Sequence, residues 1–256
     1  MTPVVELNQV SMNYHTLYEE TKAIENLSLS VHSGEFISIV GPSGCGKSTL
    51  LSLISGLLKP TSGKITLHCA STNGRSCTVG YMLQKDHLFE WRNILSNAYL
   101  GLEIQNKLTK ENKKYAEELL DLYGLKDFKT YFPSQLSGGM RQRVALIRTL
   151  AIKPEILLLD EPFSALDYQT RLSVADEIGM IIKKENKTAI LVTHDISEAI
   201  SMSDRVIVLT KRPATVKTIF PIQLSIENRT PLKSREAPEF RYYFQAIWKE
   251  LNEDEK

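Results

Sequence analysis

The sequence predicts an α/β fold with a mostly parallel sheet, and three observations predict it. The apolar run Phe36 to Val40 leads into Gly41, Pro42, Ser43, Gly44, Cys45, Gly46, Lys47, Ser48 and Thr49, then into a leucine-rich stretch. That is the strand–loop–helix order of a phosphate-binding loop, G-x-x-x-x-G-K-[ST]. Residues 156–159 are four apolar residues in a row ahead of Asp160 and Glu161, which reads as a buried parallel strand ending in two acids. After that strand, β-branched runs alternate with helical stretches, as crossover connections in a parallel sheet require.

Taken in order, residues 3–10, 26–31, 36–40, 63–69 and 77–83 have strand-like β-branched and apolar content, separated by turns at Ser33-Gly34 and at residues 60–63. Residues 93–103, 110–123 and 138–152 read as helices, with Pro133 and Pro154 as punctuation, so 86–153 is taken as a helical subdomain. Strands follow near 155–160, 187–193 and 205–210, with helices at 168–184 and 195–202. The tail holds a strand-like stretch at 215–224 and a last helix at 237–251. No internal repeat or low-complexity segment interrupts this order.

Composition narrows the function. The 256 residues, 42% of them hydrophobic, suffice for one sizeable domain with a subdomain and contain one phosphate loop only. With 31 basic and 30 acidic residues the net charge is +1, which offers no basic surface to nucleic acid. There is no charged-then-apolar leader and no apolar stretch near about 18 residues, so the chain is expected neither to be secreted nor to span a membrane itself. Three cysteines fit a reducing compartment better than a disulfide scaffold. Cys45, inside the loop, reads either as a redox-sensitive thiol or as a small residue tolerated there.

Glycines 41, 44 and 46 let the backbone turn sharply and aim successive N–H groups at phosphate oxygens, while the following helix offers its positive end. Lys47 is placed to bridge the outer phosphates, and Ser48, with Thr49 beside it, to put a hydroxyl on Mg²⁺. Ligands gather at the carboxyl ends of strands in open α/β sheets, so Asp160 and Glu161 should face those phosphates. Adjacent strand residues point to opposite faces, which divides the work: Asp160 to Mg²⁺ and Glu161 to the attacking water. Taken alone, the two acids would equally cap the next helix.

A second helix start lies at Leu136, Ser137, Gly138, Gly139 and Met140, followed by Arg141, Gln142 and Arg143, with Ser137 as N-cap. Read by itself it is only a cap. In order behind the phosphate loop, it makes the chain resemble the ATP-binding subunit of an ABC transporter over nearly all of residues 3–212. The resemblance implies a P-loop NTPase (ABC ATPase) fold: a RecA-like core, an antiparallel β subdomain and an inserted helical subdomain. It implies one ABC domain over about 3–235, with a nucleotide-binding core at 1–85 and 154–225, the helical subdomain at 86–153 and a C-terminal helical tail at 226–256. It also implies a head-to-tail dimer with two ATPs between the chains, in which Ser137 and Gly139 bind the γ-phosphate held by the opposite subunit.

The other positions carry over one at a time. Tyr14 matches the aromatic that stacks on the adenine, with Tyr18 as a neighbouring candidate. Gln84 matches the glutamine that touches Mg²⁺ and water and marks the hinge to the helical subdomain. Residues 164–167 match the loop that crosses to the partner's site. His194 matches the switch histidine, which contacts the γ-phosphate and helps Glu161 hold the water. The resemblance therefore assigns catalysis to Glu161 and His194, ATP to Tyr14, residues 41–49, Gln84, Ser137, Gly139 and His194, and Mg²⁺ to Ser48, Gln84 and Asp160.

Leu88 to Arg92, Leu100 to Glu103, the string from Leu136 to Leu146 and the ending Arg235 to Trp248 are most similar to the nitrate, sulfonate and taurine import group, which also contains importers of bicarbonate, aliphatic amines and thiamine-precursor pyrimidines. Glu90 stands where a proline is common, and Ile147 and Thr149 stand where alanines are common. The implied partners are a second ATPase chain, identical or similar, two permease subunits and an extracellular or periplasmic solute-binding protein, at the cytoplasmic face of the membrane. Residues 85–92 would receive the permease through Phe89 and Trp91, unless these two only pack the subdomain. A guanine-specific enzyme is disfavoured, because Asn186, Lys187, Thr188 and Ala189 lack the aspartate of the Asn-Lys-x-Asp reader.

Overall fold

The structure, a computed structural model, describes residues 3–15, 20–68, 77–164 and 166–252. Along the chain run β1 (Val5–His15), β2 (Glu20–Val31), β3 (Phe36–Val40), α1 (Lys47–Ile54), β4 (Ser62–Leu67), β5 (Val79–Met82), α2 (Ile94–Ile104), α3 (Lys110–Leu122) and α4 (Gly138–Ala151). Then come β6 (Ile156–Asp160), α5 (Tyr168–Lys184), β7 (Thr188–Val192), α6 (Ile196–Met202), β8 (Arg205–Leu209), β9 (Val216–Pro221), α7 (Pro231–Ser234) and α8 (Pro238–Asn252). These group into two compact units, Met1–Cys77 with Leu172–Lys256, and Thr78–Arg171.

The first unit carries an antiparallel sheet in the order β2-β1-β4 and a run β7-β3-β8-β9, in which β7, β3 and β8 are parallel and β9 is antiparallel. Every residue of β3 and β7 is buried, as expected of parallel strands covered on both faces. A core cluster of Val40, Ile196, Ile200, Val206, Val208, Ile222 and Ile247 seats α6 and α8 on this run.

β1 and β2 are longer than their sequence suggests. Expected at 3–10 and 26–31, they pair out to Tyr14↔Thr21 and His15↔Glu20. The extension carries buried Met12, Ala23 and Ile24, but register shifts between Leu7 and Asn13 and the positive φ of Gln9 and Asn26 break the alternation that would mark it in the sequence. Its far end is polar, with Asn13 Nδ2 donating to Glu20 Oε1 at 2.6 Å. Residue 69 of the expected strand 63–69, Ala165 and Tyr18 lie outside the described residues.

The second unit pairs β5 with β6 in parallel, Val79 opposite Ile156 and Met82 opposite Leu159. Around it α2, α3 and α4 share a core of Tyr99, Leu102, Ala116 and Ala151. Helix α2 approaches the end of α4 closely: a Cβ at Gly101 would lie 2.6 Å from Ile152 Cγ2. Thr149, standing where the import group commonly has alanine, turns its hydroxyl back to Ala145 O at 2.9 Å and lays its methyl against Gly80.

One expectation is corrected. Cys77 is disulfide-bonded, so cysteine usage does not have the all-thiol pattern expected for a reducing compartment. Cys45 is free and buried. Among the described residues no helix is long and apolar enough to cross a membrane.

Candidate nucleotide site

In the first unit the phosphate loop joins β3 to α1. Helix α1 begins at Gly46, whose φ of 123° is open to glycine and strained for other residues, and it has no side-chain cap. By contrast Asn93, Thr109, Ser137, Asp195 and Thr230 each cap their helices through a side-chain oxygen. The first N–H groups of α1 therefore face a position that a phosphate oxygen suits. Lys47 is only 7% exposed, and its ammonium donates to Gly41 O and Pro42 O, each at 2.9 Å. This holds a buried positive charge at the mouth of the loop.

Cys45 is buried beside Lys47, Sγ to Nζ 4.0 Å. Burial pushes its thiol up, and Lys47 pulls it only partly back. A buried, protonated thiol suits the reading of Cys45 as a small residue of the loop and not the redox-sensitive one. Ser43 and Ser48 are exposed on the loop and the first turn. Tyr14, on the polar extension of β1, reaches Thr49 Oγ1 with its hydroxyl at 3.2 Å, which places its ring at the edge of the loop.

His194 follows β7, the parallel neighbour of β3, and Thr193 N donates to Ile39 O at 3.3 Å. The histidine thus emerges at the same carboxyl edge as the phosphate loop. Its neighbours are fixed: Thr193 Oγ1 donates to Glu198 Oε2 at 2.6 Å and accepts from Asp195 N at 3.0 Å, while the Asp195 carboxylate caps α6 at Ser197 N and Glu198 N. Arg212, on the turn after β8, donates to Gly44 O. The motifs give no sign of it.

In the second unit Asp160 ends β6, only 4% exposed, and Glu161 follows with φ 47°. Gln84 lies two residues past β5, the parallel partner of β6, and its Nε2 donates to Glu161 Oε2 at 2.9 Å. Two distant motifs of the sequence thus meet in one hydrogen bond. The Glu161 carbonyl accepts from Ser164 N and Oγ, and Gln142 Nε2 donates to Gln84 O at 3.4 Å. Ser137 Oγ accepts from Met140 N at 3.3 Å at the head of α4, with Gly138 open on its outer side. Asp167 accepts from Thr170 N at 3.0 Å, and bonds from Thr170 hold its carboxyl below the usual range.

Residues 85–92 are held from several sides. Arg148 donates to Asp86 O and His87 O, each at 2.7 Å. Buried Asn97 accepts from Phe89 N and donates to the carbonyls of Phe89, Arg92 and Asn93. Arg92 bridges both carboxylate oxygens of Glu103 at 2.7 Å. On this frame Phe89 and Trp91 stack at 4.7 Å and 10°, with Trp91 75% exposed. Trp91 thus leaves most of its surface open while one face rests on Phe89.

An uncapped helix start with a buried lysine, an edge histidine, and a glutamine-bonded carboxylate after a strand define an ATPase of the phosphate-loop class. The chain belongs to the ABC transporter family, which matches residues 24–164. It is 46% identical over 252 residues to an uncharacterized ABC transporter ATP-binding protein of Bacillus subtilis (strain 168), covering 98% of this chain and 97% of that one. It is 39% identical over 229 residues to the nitrate import ATP-binding protein of Synechocystis sp., covering 88% and 86%. A dimeric structure of the ATP-binding cassette MJ0796 bound to ADP and Pi superposes with a TM-score of 0.76 at 33% identity, covering 86% of this chain and 99% of that one. The fold and the resemblance expected from the sequence are borne out, and the chain binds and hydrolyses ATP as a member of this family.

Proposed function

We propose that the chain is the ATP-hydrolysing subunit of an importer for a small solute of the nitrate, sulfonate or taurine type. It works as a pair of chains at the cytoplasmic face of the membrane, beneath two permease subunits served by an external solute-binding protein. Residues 1–85 with 154–225 are its nucleotide-binding core, 86–153 its helical subdomain and 226–256 its tail. The observation that carries the transport reading is the Phe89–Trp91 stack, an exposed aromatic grip on a hydrogen-bonded frame shortly after Gln84. The nitrate import relative supports the solute class.

In this reading Lys47 and the N–H groups at the head of α1 bind the phosphates in cis, Gln84 and His194 approach the γ-phosphate, and Ser137 and Gly139 of the second chain complete its cage. Tyr14 stacks on the adenine. Ser48, Gln84 and Asp160 all offer oxygen donors, the set a hard cation takes, and would hold Mg²⁺, which would supply neutralisation of phosphate charge. Glu161 orients the water for in-line attack, and positioning plus electrostatics lower the barrier. Reconstitution with a candidate permease pair and its solute-binding protein, in liposomes with this chain and ATP inside, tests the reading. Nitrate, a sulfonate or taurine should raise ATP turnover, and Trp91→Ala should lose that increment while keeping basal hydrolysis. No stimulation by any of the three would reject the solute class.

A further inference from the structure

We propose that Arg212 is a positioning residue for ATP, acting through the Gly44 carbonyl on the crown of the phosphate loop. The proposal rests on ATP binding at this loop. Arg212 lies on the turn between β8 and β9, and β8 is the other parallel neighbour of β3, so the turn emerges beside the loop. Its guanidinium donates to Gly44 O from Nη2 at 2.6 Å and from Nε at 3.2 Å. The N–H of the same peptide, at Cys45, donates to Pro42 O at 3.2 Å. One peptide plane is thus held at both ends, next to a glycine in the left-handed region at φ 71°.

The turn that carries Arg212 is itself braced. Ala214 N donates to Ala23 O at 2.9 Å, and Glu25 N donates to Ala214 O at 3.1 Å. Thr210 Oγ1 reaches Pro213 O and accepts from Thr215 N. Ala23 O and Ala214 Cβ lie 3.0 and 3.6 Å from where a Cβ on Gly46 would stand, so the same brace walls the last glycine of the loop. A phosphate loop binds through N–H groups that already point at the ligand, and a loose glycine segment would have to be ordered by each nucleotide that arrives. The guanidinium also adds positive potential beside the phosphates. That charge reaches the loop, since Arg212 together with Lys47 pulls the Cys45 thiol down against the larger effect of burial.

The test is calorimetric titration of Mg²⁺ and the non-hydrolysable analogue adenylyl imidodiphosphate into wild type, Arg212→Gln, Arg212→Lys and, as control, Lys47→Ala. Arg212→Gln should raise Kd roughly tenfold at unchanged stoichiometry, the weight of a charge-assisted bond and its loop order. Arg212→Lys keeps the charge without the fork and should recover part of the loss. In hydrolysis, Arg212→Gln should raise KM and leave kcat within about twofold. An unchanged Kd in Arg212→Gln beside a weakened Lys47→Ala overturns the role of Arg212 alone. Fewer binding sites at unchanged Kd mark a structural residue and overturn it too. If Arg212→Gln does not fold, Arg212→Lys decides, and wild-type affinity there overturns the proposal. Full affinity in Lys47→Ala overturns the nucleotide reading of the loop, and this proposal with it.

Discussion

Glu161 stands in a left-handed backbone conformation with its carboxylate bonded to Gln84, a placement that costs strain and persists because Ser164 holds its carbonyl. If this carboxylate positions the water, Glu161→Gln should lower turnover by about 10²–10⁴ while nucleotide affinity stays near wild type, read by steady-state hydrolysis beside a binding titration. Near-normal turnover would remove the role. Cys45 gives a second expectation. Its thiol is pushed up by burial, so it remains protonated at neutral pH and should alkylate with iodoacetamide only after denaturation, as mass spectrometry would report. A raised thiol pKa favours the folded chain below the ordinary value of 9.0, and that contribution is lost as pH rises through the folded value. The loop was readable because its motif is contiguous and its residue types have few other uses together, and the acids of β6 and residues 136–140 were readable from their order behind it. Arg212 was not, because it is 168 residues from its carbonyl partner and carries no spacing rule of its own.

At the level of elements, helices α2, α3 and α4 were legible from their few β-branched runs and, for α4, the Ser137 cap, while the outer halves of β1 and β2 were hidden by register shifts between Leu7 and Asn13 that break the alternation. Helix α7 went unseen because a turn of four residues has no periodicity, although Thr230 and Pro231 form a regular helix start. Asn97 is the hinge pin of the aromatic frame. Replacing it by alanine leaves the polar backbone groups of Phe89, Arg92 and Asn93 short of partners and should cost about 2–3 kcal/mol, with faster amide exchange at Phe89. Unaltered exchange there would show that Asn97 does not hold the frame. Helix α8 sets fully buried Ile247 into the core cluster, with Phe240, Tyr243, Phe244 and Leu251 packed beside it, so Ile247→Ala should lower unfolding stability by about 2–5 kcal/mol in denaturant melts.

For the molecule as a whole, residues 1–256 hold one phosphate loop and one Ser137–Gly139 segment, so a site shared between the two in trans would take a second copy of each. Size-exclusion chromatography should find Glu161→Gln as a dimer with MgATP and a monomer without it, and a monomer that still hydrolyses ATP would defeat the shared-site reading. The bare head of α1 reaches further than catalysis. If its N–H groups take a phosphate, which only the folded chain could grip, nucleotide at a hundredfold its Kd should add about 2.7 kcal/mol to folding, read as a raised midpoint in thermal melts. Nucleotide supply and protein lifetime would thereby be tied together: with ATP depleted, the unliganded chain should unfold more often and be lost to proteases faster, which a pulse-chase with and without ATP depletion would read.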